Sequence, residues 1–563
     1  MACKSSFSLN AYLVFRISIF VALLFSVSAN AQLKSVPYDS DSTFYMVSRA
    51  LNDPQRCAYL YLEYDTIKTL PEDFTRLNKL RGITFRYCVS VNWGQVLTML
   101  SKMPKLDYLE ISVSKINKVH QNLSQIKQLR SLNLKGNNLQ VVPDQVEKLP
   151  NLSYINLSYN PGMRWDETFK RLADCNALVE LDLSSNGFTS LDENLILLTG
   201  LKRLTLSANY LTKLPNDFNK LENLEELELS NNPGIDWKQA ATPVSQLQNL
   251  RKLMITGNGL VELPNKITSL KNLEELHAYA NELQALPEGI GNLTNLRVLN
   301  IGSSRTGQTR NQIGEFPKSF GKLTKLEYLN MNGTYMQDLP SGLRETKALR
   351  ELYVNWCGLA DLKYLENCTN LEVLEAGHNY FFKLPEWIGS LSKLRVLALD
   401  GNFFPAKQVP HLQQLPESIC RLSNLEVLRL NDQLLKSLPS CLGELSGLKV
   451  LTLRNNMLDS LPSSVSNLTS LRELELKANL LTTLPDLNKL TQLQTLNLSF
   501  NPDLNLNRES GKFGRLKQLK KLDISYLPST NNTMAAIKES LPNTEIIYLT
   551  YEDLQFNPNQ KKD

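Results

Sequence analysis

Apolar residues recur along this chain of 563 residues in one frame, Leu-x-x-Leu-x-Leu-x-x-Asn-x-Leu, in about twenty-one copies. Leu129, Leu132, Leu134, Asn137 and Leu139 make one copy; Leu471, Leu474, Leu476, Asn479 and Leu481 make another. Most successive Asn positions are 22, 23 or 26 residues apart, the period of a solenoid in which each repeat is one coil. Within a coil, Leu-x-Leu alternates with period two, which predicts a short strand with its leucines inward. The Asn then turns the chain, and its amide can bond backbone groups of neighbouring coils, where no regular ladder exists. Twelve of the twenty-one positions are Asn. The return segment often reads Leu-Pro-x-x-apolar-x-x-Leu, as at Leu214-Pro215 and Leu461-Pro462, and proline there fixes φ at the start of a helical or extended turn. Strands stacked in parallel ~4.8 Å apart would give a curved inner sheet with bulkier return segments outside.

A longer period lies over the first. Positions 88, 160, 232 and 304 are 72 residues apart, and 26-residue copies place Trp93, Trp165 and Trp237 five residues after the turn position. Their fixed place in the core frame reads as large plugs under longer outer helices rather than a ligand row. The ends need closing, since a terminal coil exposes leucines. Ser40 to Asn52 is expected to form a capping helix with Phe44, Val47 and Leu51 on one face. At the other end, Asn531 to Leu541 is expected to be a helix and Thr544 to Leu549 a last strand.

The frame resembles the leucine-rich-repeat superfamily over roughly residues 57 to 554. That resemblance implies an α/β solenoid, a leucine-rich-repeat horseshoe of about 21 repeats with a concave parallel β-sheet and a convex side of short helices and turns. The Leu-Pro signature is similar to that of intracellular Ras-scaffold and plant Ras-group-related repeat proteins, whereas the amino-terminal segment looks like that of secreted bacterial members. The family implies a protein-binding surface. With no kinase, GTPase, transmembrane or ubiquitin-ligase stretch in these residues, receptor-type signalling by the chain alone is not expected.

Lys4 and Arg16 precede an apolar run from Ile17 to Val27, and Ala29-Asn30-Ala31 offers small residues for cleavage. Residues 1–31 therefore read as a signal peptide cleaved after Ala31, and the mature chain is expected to be secreted, periplasmic or on the cell surface. An amino-terminal cap over 32–56, a solenoid over 57–554 (closed by 528–554) and a flexible tail over 555–563 would follow. The apolar run is short for a membrane span, and no transmembrane segment is expected in the mature chain.

Lys and Arg number 61 against 56 Asp and Glu, with no basic stripe, so nucleic acid is not an expected partner. Among eight cysteines, Cys57 and Cys88 are too far apart in register to bridge. Cys420 and Cys441 are the one plausible pair, whose oxidation the spacing leaves open, and most of the cysteines are expected to serve as small core residues. His120, His277, His378 and His411 are dispersed, and no phosphate loop, nucleophile elbow or paired-cysteine metal motif appears. No metal, no cofactor and no catalysis are expected.

Residues flanking the inward leucines should line the inner face. In many copies they are small or simply charged, as at Ser207, Ala208, Glu226 and Glu228. One stretch differs: His277, Tyr279, Asn300, Tyr328, Asn330, Asn332, Tyr353, Asn355, Trp356, Glu375, His378, Asp400, Arg429, Asn431 and Asp432 fall on consecutive repeats. Aromatic and arginine groups are enriched at binding hot spots, and amides and carboxylates add oriented hydrogen bonds. The two longest repeats lie in the same stretch, with extra residues at Arg305 to Ile313 and Phe403 to Leu412, and should project along one rim. These fifteen are the candidate ligand-binding residues, for a protein or peptide partner; the alternative is a glycan-binding or adhesive surface. A second patch, Tyr59, Tyr61, Tyr64, Tyr87 and Tyr108, ranks lower because aromatics beside a cap can simply cover its edge.

Overall fold

The computed structural model describes residues 41–64, 67–144, 146–303, 310–401 and 411–550. The expected signal peptide, the expected tail and most of both insertions lie outside the described residues. The chain forms two compact units, one ending at Leu181 and the other beginning at Asp182.

In the first unit, strands Thr43–Phe44, Tyr59–Glu63, Gly82–Arg86, Tyr108–Ser112, Ser131–Asn133 and Tyr154–Asn156 pair in that order, all parallel. Leu60, Ile83, Leu109, Leu132 and Ile155 stand opposite one another and are buried. In the second unit, parallel strands follow from Arg203–Thr205 to Glu545–Ile547, with one buried leucine of each facing that of the next from Leu204 to Leu522. Both units are thus leucine-rich-repeat solenoid. Return segments are mostly single 3-10 turns such as Glu288–Asn292, Glu386–Ser390 and Ser463–Asn467, each entered from a proline whose ring presets φ. Trp93, Trp165 and Trp237 instead open the longer helices Trp93–Leu100, Trp165–Ala173 and Trp237–Ser245, and Trp237 is 7% exposed.

Asparagine amides tie the coils together. Asn281 Nδ2 donates to the carbonyls of Ile255 in the preceding coil (3.0 Å) and Ala278 in its own (2.9 Å). Its Oδ1 accepts from the backbone N–H groups of Asn258 (2.8 Å) and Leu260 (3.2 Å). One side chain thereby satisfies four backbone groups that have no partner in the sheet. One of the two longest copies corrects the frame. Its turn amide is Asn311, not the residue at 304: Asn311 donates to Ala278 O (3.2 Å) and Ile301 O (2.7 Å) and accepts from Leu283 N (2.9 Å). The extra residues therefore enter before the turn amide. A serine hydroxyl has one hydrogen to donate and cannot serve both carbonyls.

A second tie runs along the second unit. The residue preceding each strand alternates in sign over eleven coils: Lys202, Glu225, Arg251, Glu274, Arg297, Glu327, Arg350, Glu372, Arg395, Glu426 and Lys449. Ion pairs join Lys202 to Glu225 (2.8 Å), Arg297 to Glu327 (2.9 Å) and Arg350 to Glu372 (2.6 Å), and Glu426 sits between Arg395 (3.1 Å) and Lys449 (2.8 Å).

The amino-terminal cap differs from expectation. Only Val47–Asn52 is helical, and Thr43–Phe44 is a strand paired to Tyr59–Leu60. The backbone N–H groups of Ala58 and Tyr59 donate to Ser42 O, so pairing covers a sheet edge that a helix would leave open. The carboxy-terminal helix spans Asn531–Ser540, capped by Thr530 Oγ1 accepting from Thr533 N (3.3 Å), and strand Glu545–Ile547 follows. Cys420 and Cys441, the one plausible pair in the sequence, are bridged, with Cα atoms 5.9 Å apart. Cys57, Cys88, Cys175, Cys357 and Cys368 are buried. Among the described residues no helix is long and apolar enough to cross a membrane.

Candidate functional site

Register brings fourteen of the fifteen predicted residues into three rows on the strand face of the second unit, and Tyr328, opposite Val298 and Glu351, lies in a fourth. His277, Asn300, Asn330, Tyr353, Glu375, Ala398 and Arg429 are successive partners across neighbouring strands. Two residues further along each coil come Tyr279, Asn332, Asn355, Asp400 and Asn431. One residue beyond these, Trp356, His378 and Asp432 hold left-handed backbones, with φ of 61°, 58° and 57°. The position before the turn amide is left-handed in most coils, including Ala280, Asn455 and Ala478. This conformation disfavours side chains with a Cβ and persists because the amide ladder over-determines it.

Most of the predicted amides are engaged in holding the wall together. Asn332 Oδ1 accepts from Asn355 N (2.7 Å), and Asn355 Oδ1 accepts from Gly377 N (2.6 Å). Asp400 Oδ1 accepts from Asn431 N (2.9 Å), and Asn431 Oδ1 from Arg454 N (2.8 Å). Asn330 and Asn300 accept from the N–H groups of Asn332 (2.9 Å) and Gly302 (3.4 Å) in their own coils. Asp432 is 5% exposed and bonded to Arg454 (2.6 Å) and Asn455 (3.1 Å). His277 lies 3.3 Å from Glu275, which also takes Lys252 at 2.7 Å. Burial pushes Glu275 upward, but the His277 contact and the Lys252 ammonium prevail and hold it at about 2.

A smaller group retains unspent chemistry. Tyr328 and Tyr353 have ring centroids 5.3 Å apart, tilted by 41°. Tyr353, expected as a projecting ring, is only 7% exposed and donates its hydroxyl to Glu351 at 2.8 Å, so it forms the floor of the face. Burial raises Glu351, Glu375 and Asp400 above the usual carboxylate range. Glu375 accepts from Asn355 Nδ2 at 3.3 Å. Among the described residues none of these three acids has a Lys or Arg nitrogen within 4.0 Å. Arg429, two strands from Glu375 across the small, buried Ala398, exerts a lowering field on Glu375 and Asp400 without an ion pair to either. Trp356 stacks on His378 with centroids 3.7 Å apart. Sequence reasoning missed Glu351, although it precedes the inward leucine and faces the same way as Tyr353; its signal was the period-two alternation.

Sequence signatures of two repeat families match the chain: a leucine-rich repeat region over residues 388–557, and leucine rich repeats over 98–161 and 176–233. With the stacked coils and the amide ladder, they place the chain in the leucine-rich-repeat superfamily, to which it belongs. Keratocan of Bos taurus is 27% identical over 167 residues, and keratocan of Mus musculus 26% identical over the same extent. Each match takes in 28% of this chain and 46% of keratocan, so the chain spans less than half the length of these curated relatives. Similar solved structures include a leucine-rich-repeat protein of Leptospira interrogans, 24% identical with a TM-score of 0.45, covering 90% of this chain and 99% of that one. Another is the plant peptide hormone receptor RGFR1 in complex with RGF2, 20% identical with a TM-score of 0.48, covering 87% and 85% of the two chains.

Proposed function

We propose that this chain is a non-catalytic, extracytoplasmic binding protein whose strand face between Tyr328 and Arg429 holds a protein or peptide partner. The observation that carries this reading is the group of carboxyls Glu351, Glu375 and Asp400, raised by burial and lacking a cationic partner within 4.0 Å among the described residues. Burying acids in a wall that only stacks coils is unfavourable. A partner that brings Lys, Arg or backbone N–H donors offsets that cost, while Tyr328 and Trp356 supply apolar contact area. Export rests on residues 1–31, whose composition fits a signal peptide.

The test is capture of partners from the native envelope with the mature protein, repeated with Glu375→Gln and Arg429→Ala together. A partner that elutes from the wild type and is absent with the variant supports the site. Partners retained equally by both proteins would move the binding surface elsewhere.

A glycan-binding or adhesive surface is the second reading, and one observation favours it. Tyr64 is 70% exposed and stacked on Tyr87 at 4.4 Å with 2° between the planes, a flat ring face of the kind a sugar can cover. Binding to a glycan array that disappears on Tyr64→Ala would establish this reading over the first.

A further inference from the structure

The bridged cysteines do not stand alone. Cys420 lies at the end of the outer turn Glu417–Arg421, and Cys441 caps the next outer turn, Leu442–Glu444. Glu417 comes from the same turn as Cys420, and its Oε2 is 3.0 Å from Cys441 Sγ. The two sulfurs and a Glu417 oxygen all lie within 4.8 Å of one another. Around a tetrahedral zinc ion, thiolate and carboxylate ligand atoms stand about 3.3–3.8 Å apart. The three groups therefore already occupy the volume of one coordination shell, on two neighbouring turns fixed by the coil stack.

We propose that Glu417, Cys420 and Cys441 form a redox-gated site for a thiophilic divalent cation such as zinc. In the oxidised protein the two sulfurs are bonded to each other and the site is closed. A dithiol or phosphine reductant supplies two electrons, two protons complete the thiols, and the S–S bond is lost. Binding of the metal then releases those two protons, leaving two thiolates and the carboxylate as ligands and a fourth position for water. Thiolate pairs select soft or borderline cations over magnesium and calcium.

The rest of the chain provides the control. The other five cysteines of the described residues are all buried. Burial pushes the thiols of Cys57 and Cys175 up to about 12 and those of Cys357 and Cys368 up to about 11, so they remain protonated at neutral pH and are poor ligands. Glu417, by contrast, is exposed and Cys441 is half-exposed, which gives reductant and metal a path to the site.

The experiment titrates cobalt(II), a spectroscopic stand-in for zinc, into the full mature chain before and after reduction with a phosphine. Thiolate-to-cobalt charge-transfer absorption should appear at one equivalent in the reduced protein only. Cys441→Ser should abolish it, and Glu417→Gln should weaken binding by about tenfold or more. If reduction loosens the fold, one equivalent of zinc should restore the thermal midpoint. No cobalt–thiolate band and no zinc-dependent midpoint in the reduced protein would overturn the proposal, as would full retention of the band in Cys441→Ser.

Discussion

Trp356 lies nearly face to face on His378, with ring centroids 3.7 Å apart and 15° between the planes, and both residues have positive φ. The stack is a product of the turn. The residue ahead of the turn position is held left-handed, so its side chain leaves the coil beside the equivalent side chain of the next one. Tyr64 on Tyr87 and Phe500 against Tyr526, 4.2 Å apart, repeat the relationship elsewhere. Two rings stack here only where adjacent coils both place one at this position; Tyr159, between Gly136 and Ser185, has no ring on either side of it.

Trp356→Ala should therefore have two separable effects. Loss of the stack should lower stability by about 0.5–1.5 kcal/mol, read as a small fall in thermal midpoint. Partner affinity should fall by about 2 kcal/mol or more, read by calorimetry. An unchanged Kd would remove Trp356 from the binding face while leaving the fold untouched.

Asn311→Ala should be among the most damaging single substitutions in the chain. It would leave the carbonyls of Ala278 and Ile301 and the N–H of Leu283 without their side-chain partner. Each buried orphan costs about 1–3 kcal/mol, so a loss on the order of 3 kcal/mol is expected. Denaturant unfolding checks it; a loss below about 1 kcal/mol would return the turn role to position 304.

Glu426 is flanked by two cations of the alternating row, and burial, which raises its pKa, is outweighed by Lys449 and Arg395, which hold it down. Its contribution is present above the unfolded carboxylate range and is lost as pH falls through the folded value. Glu426→Gln should cost about 0.5–1 kcal/mol in dilute buffer, and most of that difference should vanish in molar salt. A penalty independent of salt would mean that the glutamate acts through packing and not charge.

Glu475 carries the opposite sign. Burial pushes it up to about 7, although Lys477 N (3.0 Å) and Asn497 Nδ2 (3.1 Å) donate to it. The folded state binds the proton more tightly than the unfolded chain, so this group loses stability as pH rises from the ordinary carboxylate range to about 7. Glu475→Gln should raise the midpoint at pH ~8, on the order of 2 kcal/mol, and have little effect at pH ~4. The same gain at both pH values would exclude titration of Glu475 as the cause.

The fold was legible because its information is one-dimensional. A leucine every two or three residues and an amide at each turn specify a coil, and the coil's neighbours are its own repeats, so Leu299 opposite Leu329 needs no long-range information. The tryptophan helices followed from the same frame, since a tryptophan five residues past the turn, as at Trp237, has only the outer layer to fill. The frame failed where an insertion offered two candidates for one role, at 304 and Asn311, because both are polar and only the carbonyls of Ala278 and Ile301 distinguish them.

Which residues could share a face was also written in the alternation: His277, Asn330, Tyr353, Glu375 and Arg429 do fall in one row. What each does there was not. Hydrogen bonding between coils engages Asn332, Asn355 and Asn431, burial turns Tyr353 into floor, and Glu351 joins the acids from a position that looked incidental. Nor does spacing along the chain show that Glu417 reaches a cysteine 24 residues away. Periodicity states where a side chain points. Desolvation, competition for hydrogen bonds and approach between coils depend on distances in space, and only the packed structure sets those.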